Sequence, residues 1–525
     1  MIKLGPILGY HGDMARSVVA VLDNDPQGLT PFLVWHHNAF AQPQVTGEML
    51  GHFEAGKSTV WKFNFDLTGL VSGTVDYEVR LGSNALSGAW IGAGYQFRFA
   101  HEQSLAAMNI LFGSCVDIEK GAAEREQLRS KGYGAFIAHL PQRVGAPIHL
   151  MLLGGDQVYT DKFLPDKAWQ DRPGIQEEIA QGLRACYLNG WTKRAEFARL
   201  LAEVPSAMMW DDHDIVDGYG SQQHKKYLKQ EMDQGGLTRL LFPEAARLFD
   251  MLQLRQPPRR TVQQNVSWVY SQDNTIFAAL DARTERDIAQ KRIVSSESLA
   301  HWHQAIEAKI AAIGEGRANL VLIVPIPLLH LRYDAIMQSL VREIPLYGDD
   351  IADNWSSSLT LGEEHKMIEL VAQLRTRVAR LVILSGDSHM ASAGMLRVQH
   401  QGQTLVVQQV TSSGLENQSG ALKSAVITGV GGEVPGNDLR HLLPWADRNR
   451  WFTFANLAQG LKADYRLLPV NSDARGFDAN AKHYFFDKNY FYPERNAVVL
   501  NMGAQPSVRW IFSDPSKQPR SPWLI

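Results

Sequence analysis

The chain has 525 residues, 45% of them hydrophobic and 20% charged, a balance that fits a globular protein with sizeable cores and more than one domain. A formal net charge of −3 at pH 7 supplies no basic excess, which argues against a general nucleic-acid or polybasic membrane binder. Only Cys115 and Cys186 are present, which excludes a disulfide framework; one pair stays open, and free thiols in a reducing compartment are the simpler reading.

The opening residues, MIKLGPILGYHGDMARSVVAVLD, contain no long apolar h-region, no small-residue cleavage site and no twin-arginine pair, so a cytoplasmic location is expected. No stretch approaches the roughly 18 uninterrupted apolar residues of a membrane span. Residues 1–104 hold short runs rich in Val, Phe, Tyr and Thr. STVWKFNFDL and TVDYEVRLG alternate with period two around the turn LTGLVSG, which predicts a small antiparallel, Ig-like β-sandwich.

From residue 105 the texture changes. AMNILFGSC, PIHLMLLGGD, TIFAALDAR, NLVLIVPIP and RLVILSGDSH read as strands buried on both faces. Between several of them lie helical patterns: IQEEIAQGLRACYLNG, KRAEFARLLAEV, SLAHWHQAIEAKIAAI and GEEHKMIELVAQLRTRVARL. This alternation predicts an α/β domain over 105–525, with loops and terminal strands after about residue 415. A loop or lid region is expected at about 415–490, and the loops 160–175 and 217–260 are expected to shape substrate choice.

The polar residues collect where the apolar runs end. They are Cys115; Asp156, Tyr159 and Asp161; Asp211, Asp212, His213 and Asp214; Asp281, Arg283 and Arg286; and Asp387 and His389. Taken singly, each has an ordinary explanation. Cys115 reads as a small core residue, Gly-Asp as a turn, His213 as a solvated loop residue, and the arginines as structural partners of Asp281 or Glu285. Together they point to one shared site beyond the carboxyl ends of the strands. Carboxylates packed at a strand end repel one another and lose hydration, and cations relieve both penalties. Oxygen ligands with one thiolate and one or two imidazoles suit a mixed pair, one harder metal and one that tolerates sulfur. Arg283 and Arg286 carry the planar fork that suits a phosphoryl group.

GGDQVYTD, WDDHDIVDGYGS, ALDARTER and LSGDSHMA follow the strand ending in GSC, in that order, between about residues 107 and 415. This series resembles that of the alkaline phosphatase D (PhoD-like) family of calcineurin-like metallophosphoesterases. The resemblance implies an αββα sandwich preceded by the small β-sandwich. It also implies hydrolysis of small-molecule phosphate mono- or diesters by a metal-activated water. Asp156 would bridge two metals and Asp212 would bind the second, in the place where many relatives carry Asn. His213 would protonate the leaving oxygen, Asp387 and His389 would be ligands, and Tyr159 would add its phenolate oxygen. Cys115, replacing the usual Asp-x-His, is associated in this branch with Fe(III) beside Ca(II); Mn, Mg or Zn are alternatives. His330 follows a strand that lacks the superfamily's Gly-His, and Asp117 is a candidate substitute ligand. Asp211 and Asp214 are expected to orient neighbouring groups, and Asp217 to shape the following turn. A non-catalytic metal-containing binding module and a nuclease are the competing readings. The oligomeric state is not readable from the residues.

Overall fold

A computed structural model describes residues 1–12, 15–88, 91–99, 108–116, 135–165, 172–192, 195–221, 237–259, 261, 264–330, 353–357, 359–415, 452–454, 457, 460–468, 470, 491–492, 495–502, 506–513 and 523–524. Two large sheets face each other. The first has ten strands among the described residues and carries a parallel run of Ile110–Gly113, Leu150–Gly154 and Ser206–Met209. The second carries a parallel run of Thr275–Ala279, Asn319–Ile323, Arg380–Ser385 and Gln403–Ser412. Every residue of Ile110–Gly113, Leu150–Gly154, Ser206–Met209 and Thr275–Ala279 is buried, which explains their unbroken apolar character.

The facing surfaces share one core. Phe112, Leu152 and Met208 of the first sheet belong to the same cluster as Phe277, Ile323 and Leu384 of the second. Helices cover the outer faces. Ile175–Tyr187 and Ala195–Glu203 pack on the first sheet, placing Ile179, Leu183, Phe197 and Leu201 in that core. Ser296–Ile313 packs on the second through Trp302, Ile306 and Ile310, and Leu361–Arg377 through Met367, Val371 and Leu374. The Ser295 hydroxyl caps the first of these by accepting from the Ser298 amide at 3.1 Å, and Gly314 ends it. The arrangement is the αββα sandwich. The stretch expected as a loop at 217–260 contains a helix, Leu237–Leu252, in spite of Pro243 within it. Most of 415–490 lies outside the described residues, as does Asp117.

The N-terminal strands form a sandwich of their own. Val18, Ala20, Phe63 and Phe65 meet Leu33, Trp35, Tyr77 and Phe97 across it. One of its two sheets continues into the large sheet, because Ile2–Tyr10 runs parallel to Ser206–Met209 with Gly9 opposite Ser206. The Tyr77 hydroxyl adds a 2.5 Å bond to the carbonyl of Ala202 in the covering helix. We propose a domain division near residue 104, with the Ile2–Tyr10 strand as the seam that joins the two parts.

The seam is positively charged. Arg255 is buried and donates to the Ser206 hydroxyl at 2.5 Å, which in turn donates to the Leu8 carbonyl at 3.0 Å. His11 lies 2.6 Å from the Ser17 hydroxyl. Burial, then the charges of Arg255, Lys62 and Arg16, push the His11 pKa down from 6.5 to about 3. The folded state therefore refuses a proton that the unfolded chain accepts. The stability from neutral His11 is complete above pH 6.5 and is lost as pH falls toward 3. His11→Gln is expected to shrink the fall in unfolding free energy between pH 7 and pH 5 by about 2 kcal/mol. Urea titrations at the two pH values measure this, and an unchanged difference would rule it out.

Candidate metal centre

The strand ends deliver their side chains through strained turns. Cys115, Asp156, Asp387 and His389 adopt φ of 60°, 57°, 64° and 53°, a left-handed backbone that non-glycine residues rarely take. Two glycines make the close approach feasible. Gly155 has φ of 111°, and a Cβ there would lie 2.5 Å from Asp211 Cβ. A Cβ on Gly386 would lie 2.4 Å from the Ser114 hydroxyl and 2.9 Å from the Gly154 carbonyl, so this glycine lets the ends of the two sheets meet.

Three groups of side chains have ligand atoms mutually within 4.8 Å: Cys115, Asp156 and His389; Asp156, Asp212 and His213; and Asp156, Asp211, Asp212 and Asp387. Asp156 is common to all three. It is fully buried, and burial, then Cys115 and Asp212, raises its carboxyl well above the usual range against the pull of His213. Asp387 is raised well above its usual range by burial, then by Asp211, Asp353 and Asp212. Burial holds the Cys115 thiol at about 11 although Ser114 and Ser413 hydrogen-bond to it. Asp211 Oδ2 and Asp212 Oδ1 are buried oxygens with no hydrogen-bond partner among the described residues.

These observations fit cations. The carboxylates of Asp156, Asp211, Asp212, Asp353 and Asp387 outnumber the guanidiniums of Arg283 and Arg286 that accompany them. A positive ion among them would remove the repulsion and occupy the two bare oxygens. The Cys115–Asp156–His389 group offers sulfur, nitrogen and oxygen, and Tyr159 OH lies 3.1 Å from His389 Nε2. The Asp156–Asp211–Asp212–Asp387 group offers oxygen alone, the donor set of a harder ion.

His213 stands beside both groups. Its Nδ1 lies 2.7 Å from Asp161 Oδ1, its Nε2 3.8 Å from Asp217 Oδ1, and its ring 4.2 Å from the Tyr159 ring. Burial opposes a charged imidazole here, but Asp161, Asp212 and Asp156 outweigh it and hold His213 well above its ordinary value. Asp214 acts on the backbone, accepting from the amides of Asp156 at 2.8 Å and Asp211 at 2.9 Å. Gln253 donates to its other oxygen at 2.8 Å.

The arginines depart from the expected phosphate clamp. Arg283 has no exposed side-chain surface and donates to Asp211 and Asp353. Arg286 donates to the Ser221 hydroxyl at 2.7 Å and to the Asp353 carbonyl at 2.6 Å. Their carboxylate partners are therefore neither Asp281 nor Glu285. Asp281 instead accepts from the Trp210 indole at 2.9 Å and the Val266 amide at 3.0 Å. His330 is buried, its carbonyl accepts from Tyr465 at 2.9 Å, and it joins none of the ligand groups among the described residues.

Two contributors, Ser413 and Asp353, escape the sequence reading, and Asp161, gathered there with the other strand-end residues, gains a partner. Asp161 pairs with His213, Ser413 binds both Cys115 and the His389 amide (2.7 Å), and Asp353 holds both arginines. Asp161 lies inside GGDQVYTD and could have been assigned there; a serine in TSSG and an aspartate in DIADNW carry no comparable signal.

No family model matches the chain. It is 26% identical over 336 residues to an uncharacterized protein of Saccharomyces cerevisiae, covering 47% of this chain and 45% of that one. The chain thus spans less than half the length of that curated relative. Among solved structures, PhoD superposes with a TM-score of 0.57 at 14% identity, covering all of this chain and 88% of its own. A purple acid phosphatase from yellow lupin (Lupinus luteus) seeds gives 0.52 at 12% identity, covering 99% and 73%. The chain has the fold of PhoD-like metallophosphoesterases. At these identities the likeness is one of fold.

The crowding at Gly155 yields a direct test. Gly155→Ala forces a Cβ against Asp211 at a left-handed backbone position. It is expected to lose about 2–4 kcal/mol of unfolding free energy. Denaturant unfolding reads this, and a loss within error would mean that the Gly155–Asp211 approach is not tight.

Proposed function

We propose that the chain is a metal-dependent phosphoester hydrolase of the PhoD-like type, acting on phosphate mono- or diesters of a small molecule. The observation that carries the reading is Asp156, a fully buried carboxylate common to a sulfur-containing ligand group and an oxygen-only group. A bridging carboxylate between two unlike cations is what such a placement serves. In this reading Cys115, Asp156, His389 and Tyr159 hold the first ion, assigned as Fe(III). Asp156, Asp212 and Asp387 hold the second, assigned as Ca(II), with Mn, Mg or Zn as alternatives. Bound there, the cations supply a water of lowered pKa and neutralise charge on the phosphoryl oxygens.

The chain's own residues do the rest. His213 is the general acid. Asp161 fixes its Nδ1 side, so that Nε2 is the nitrogen that gives up a proton to the leaving oxygen. Burial opposes the charged imidazole, and the Asp161 carboxylate bonded to it favours that form. Asp214 holds the Asp156 and Asp211 amides in place. Arg283 and Arg286 take the role of positioning residues, since their forks are engaged with Asp211, Asp353 and Ser221.

Asp156→Asn is expected to abolish turnover and metal retention in a folded protein, and near-normal activity would defeat the assignment. His213→Ala is expected to lower kcat by about 10²- to 10⁴-fold while metal content stays the same. An equal loss of both would make His213 a ligand. Metal analysis of the purified chain, followed by initial rates on a monoester, a diester and single-stranded DNA, separates the competing readings. No turnover on any of them with Fe, Ca²⁺ or Mn²⁺ present would leave a non-catalytic binding module. Turnover confined to DNA would make it a nuclease.

A further inference from the structure

Arg283 is shared between two sets of carboxylates. On one side Nε donates to Asp211, and Nη2 lies 3.4 Å from Asp212 Oδ1. On the other, Nη1 and Nη2 grip Asp353 at 2.7 and 2.5 Å. Asp211 and Asp212 belong to the oxygen-only ligand group; Asp353 belongs to none of the groups. Asp353 is itself fixed by Arg286 Nε at 3.2 Å and by the Ser221 hydroxyl. A fork gripped bidentately by one carboxylate is held in one orientation. That orientation lets Arg283 bond Asp211 yet leaves Asp212 Oδ1 without a hydrogen bond.

We propose that Asp353 is a positioning residue that sets the divalent-cation affinity of the Asp156–Asp211–Asp212–Asp387 group, by pinning Arg283 as an internal counter-charge to Asp211 and holding it to a 3.4 Å ion-pair approach to Asp212 Oδ1, short of a hydrogen bond. The inference rests on the metal-site reading above. Asp353 supplies a negative charge that balances Arg283 from outside the ligand group. Without that charge, the whole guanidinium is available to Asp211 and Asp212 and competes with a cation for the same oxygens. Without Arg283, the group becomes more negative and holds a cation more tightly. The two substitutions therefore act in opposite directions on cation affinity, whereas a purely structural network would weaken binding in both.

The test uses the full chain, stripped with chelator and titrated with Ca²⁺ alone by calorimetry, with circular dichroism confirming the fold of each variant. Asp353→Asn is expected to raise the Ca²⁺ dissociation constant roughly tenfold or more, and Arg283→Gln to lower it by a similar factor. Arg283→Gln leaves several buried carboxylates uncompensated, so its Ca²⁺-induced rise in Tm should exceed that of the wild type. If this variant does not fold, Asp353→Glu carries the argument by restoring affinity toward the wild-type value. An unchanged dissociation constant in Asp353→Asn, weakening in both variants, or no rescue by Glu would overturn the proposal. Wild-type chain that binds none of Ca²⁺, Mn²⁺, Mg²⁺ or Zn²⁺ would overturn the metal-site reading itself, and the proposal with it.

Discussion

A buried carboxylate that is not fully compensated costs several kcal/mol, and the penalty grows when other carboxylates share its pocket. Asp156 sits in that position, fully buried with the Cys115 thiol, Asp211 and Asp212 around it. The rest of the site follows from how this charge is accommodated. Two sheets bring their carboxyl ends together, Gly155 and Gly386 give up side chains to let them touch, and four residues accept a left-handed backbone to aim inward. Asp214 accepts from the Asp156 and Asp211 amides with one oxygen and from Gln253 with the other.

The same charge divides the neighbourhood by chemistry. On the Cys115 side, the thiol stays protonated while nothing positive is near, because burial holds it at about 11. A thiolate there and a cation beside it would arrive together. On the Asp212 side, Arg283 already supplies one fixed positive charge, and Asp353 and Arg286 set where it points. His213 lies beside the Tyr159 ring, tilted against it, and the carboxylates it faces raise its pKa against the effect of burial. One cluster of negative charge thereby raises the His213 imidazole and gathers the candidate ligand groups.

Much of this was legible in the residues. Strands buried on both faces have no place for polar side chains except at their ends, so Cys115, Asp156, Asp212, Asp387 and His389 stand out where apolar runs stop. The four helices with clear periodicity appear where expected, at Ile175–Tyr187, Ala195–Glu203, Ser296–Ile313 and Leu361–Arg377. The Leu237–Leu252 helix escaped notice because Pro243 interrupts its pattern. The partners of the arginines were not legible either. Residue types give the number of donors, but pairing depends on which loop returns to the site, and Asp353 comes from far along the chain. The continuation of the N-terminal sandwich into the large sheet depends on the Gly9–Ser206 register, which periodicity does not encode.

The proposed role of Asp156 is to join two unlike cation sites. Anomalous diffraction from crystals of the purified full chain, collected on either side of the iron edge and at long wavelength for calcium, tests it most directly. The account predicts an iron signal bounded by Cys115, Asp156 and His389, and a second, non-iron cation bounded by Asp156 and Asp212. Crystals with no cation signal at either position, and Asp156 satisfied by protonation alone, would contradict it.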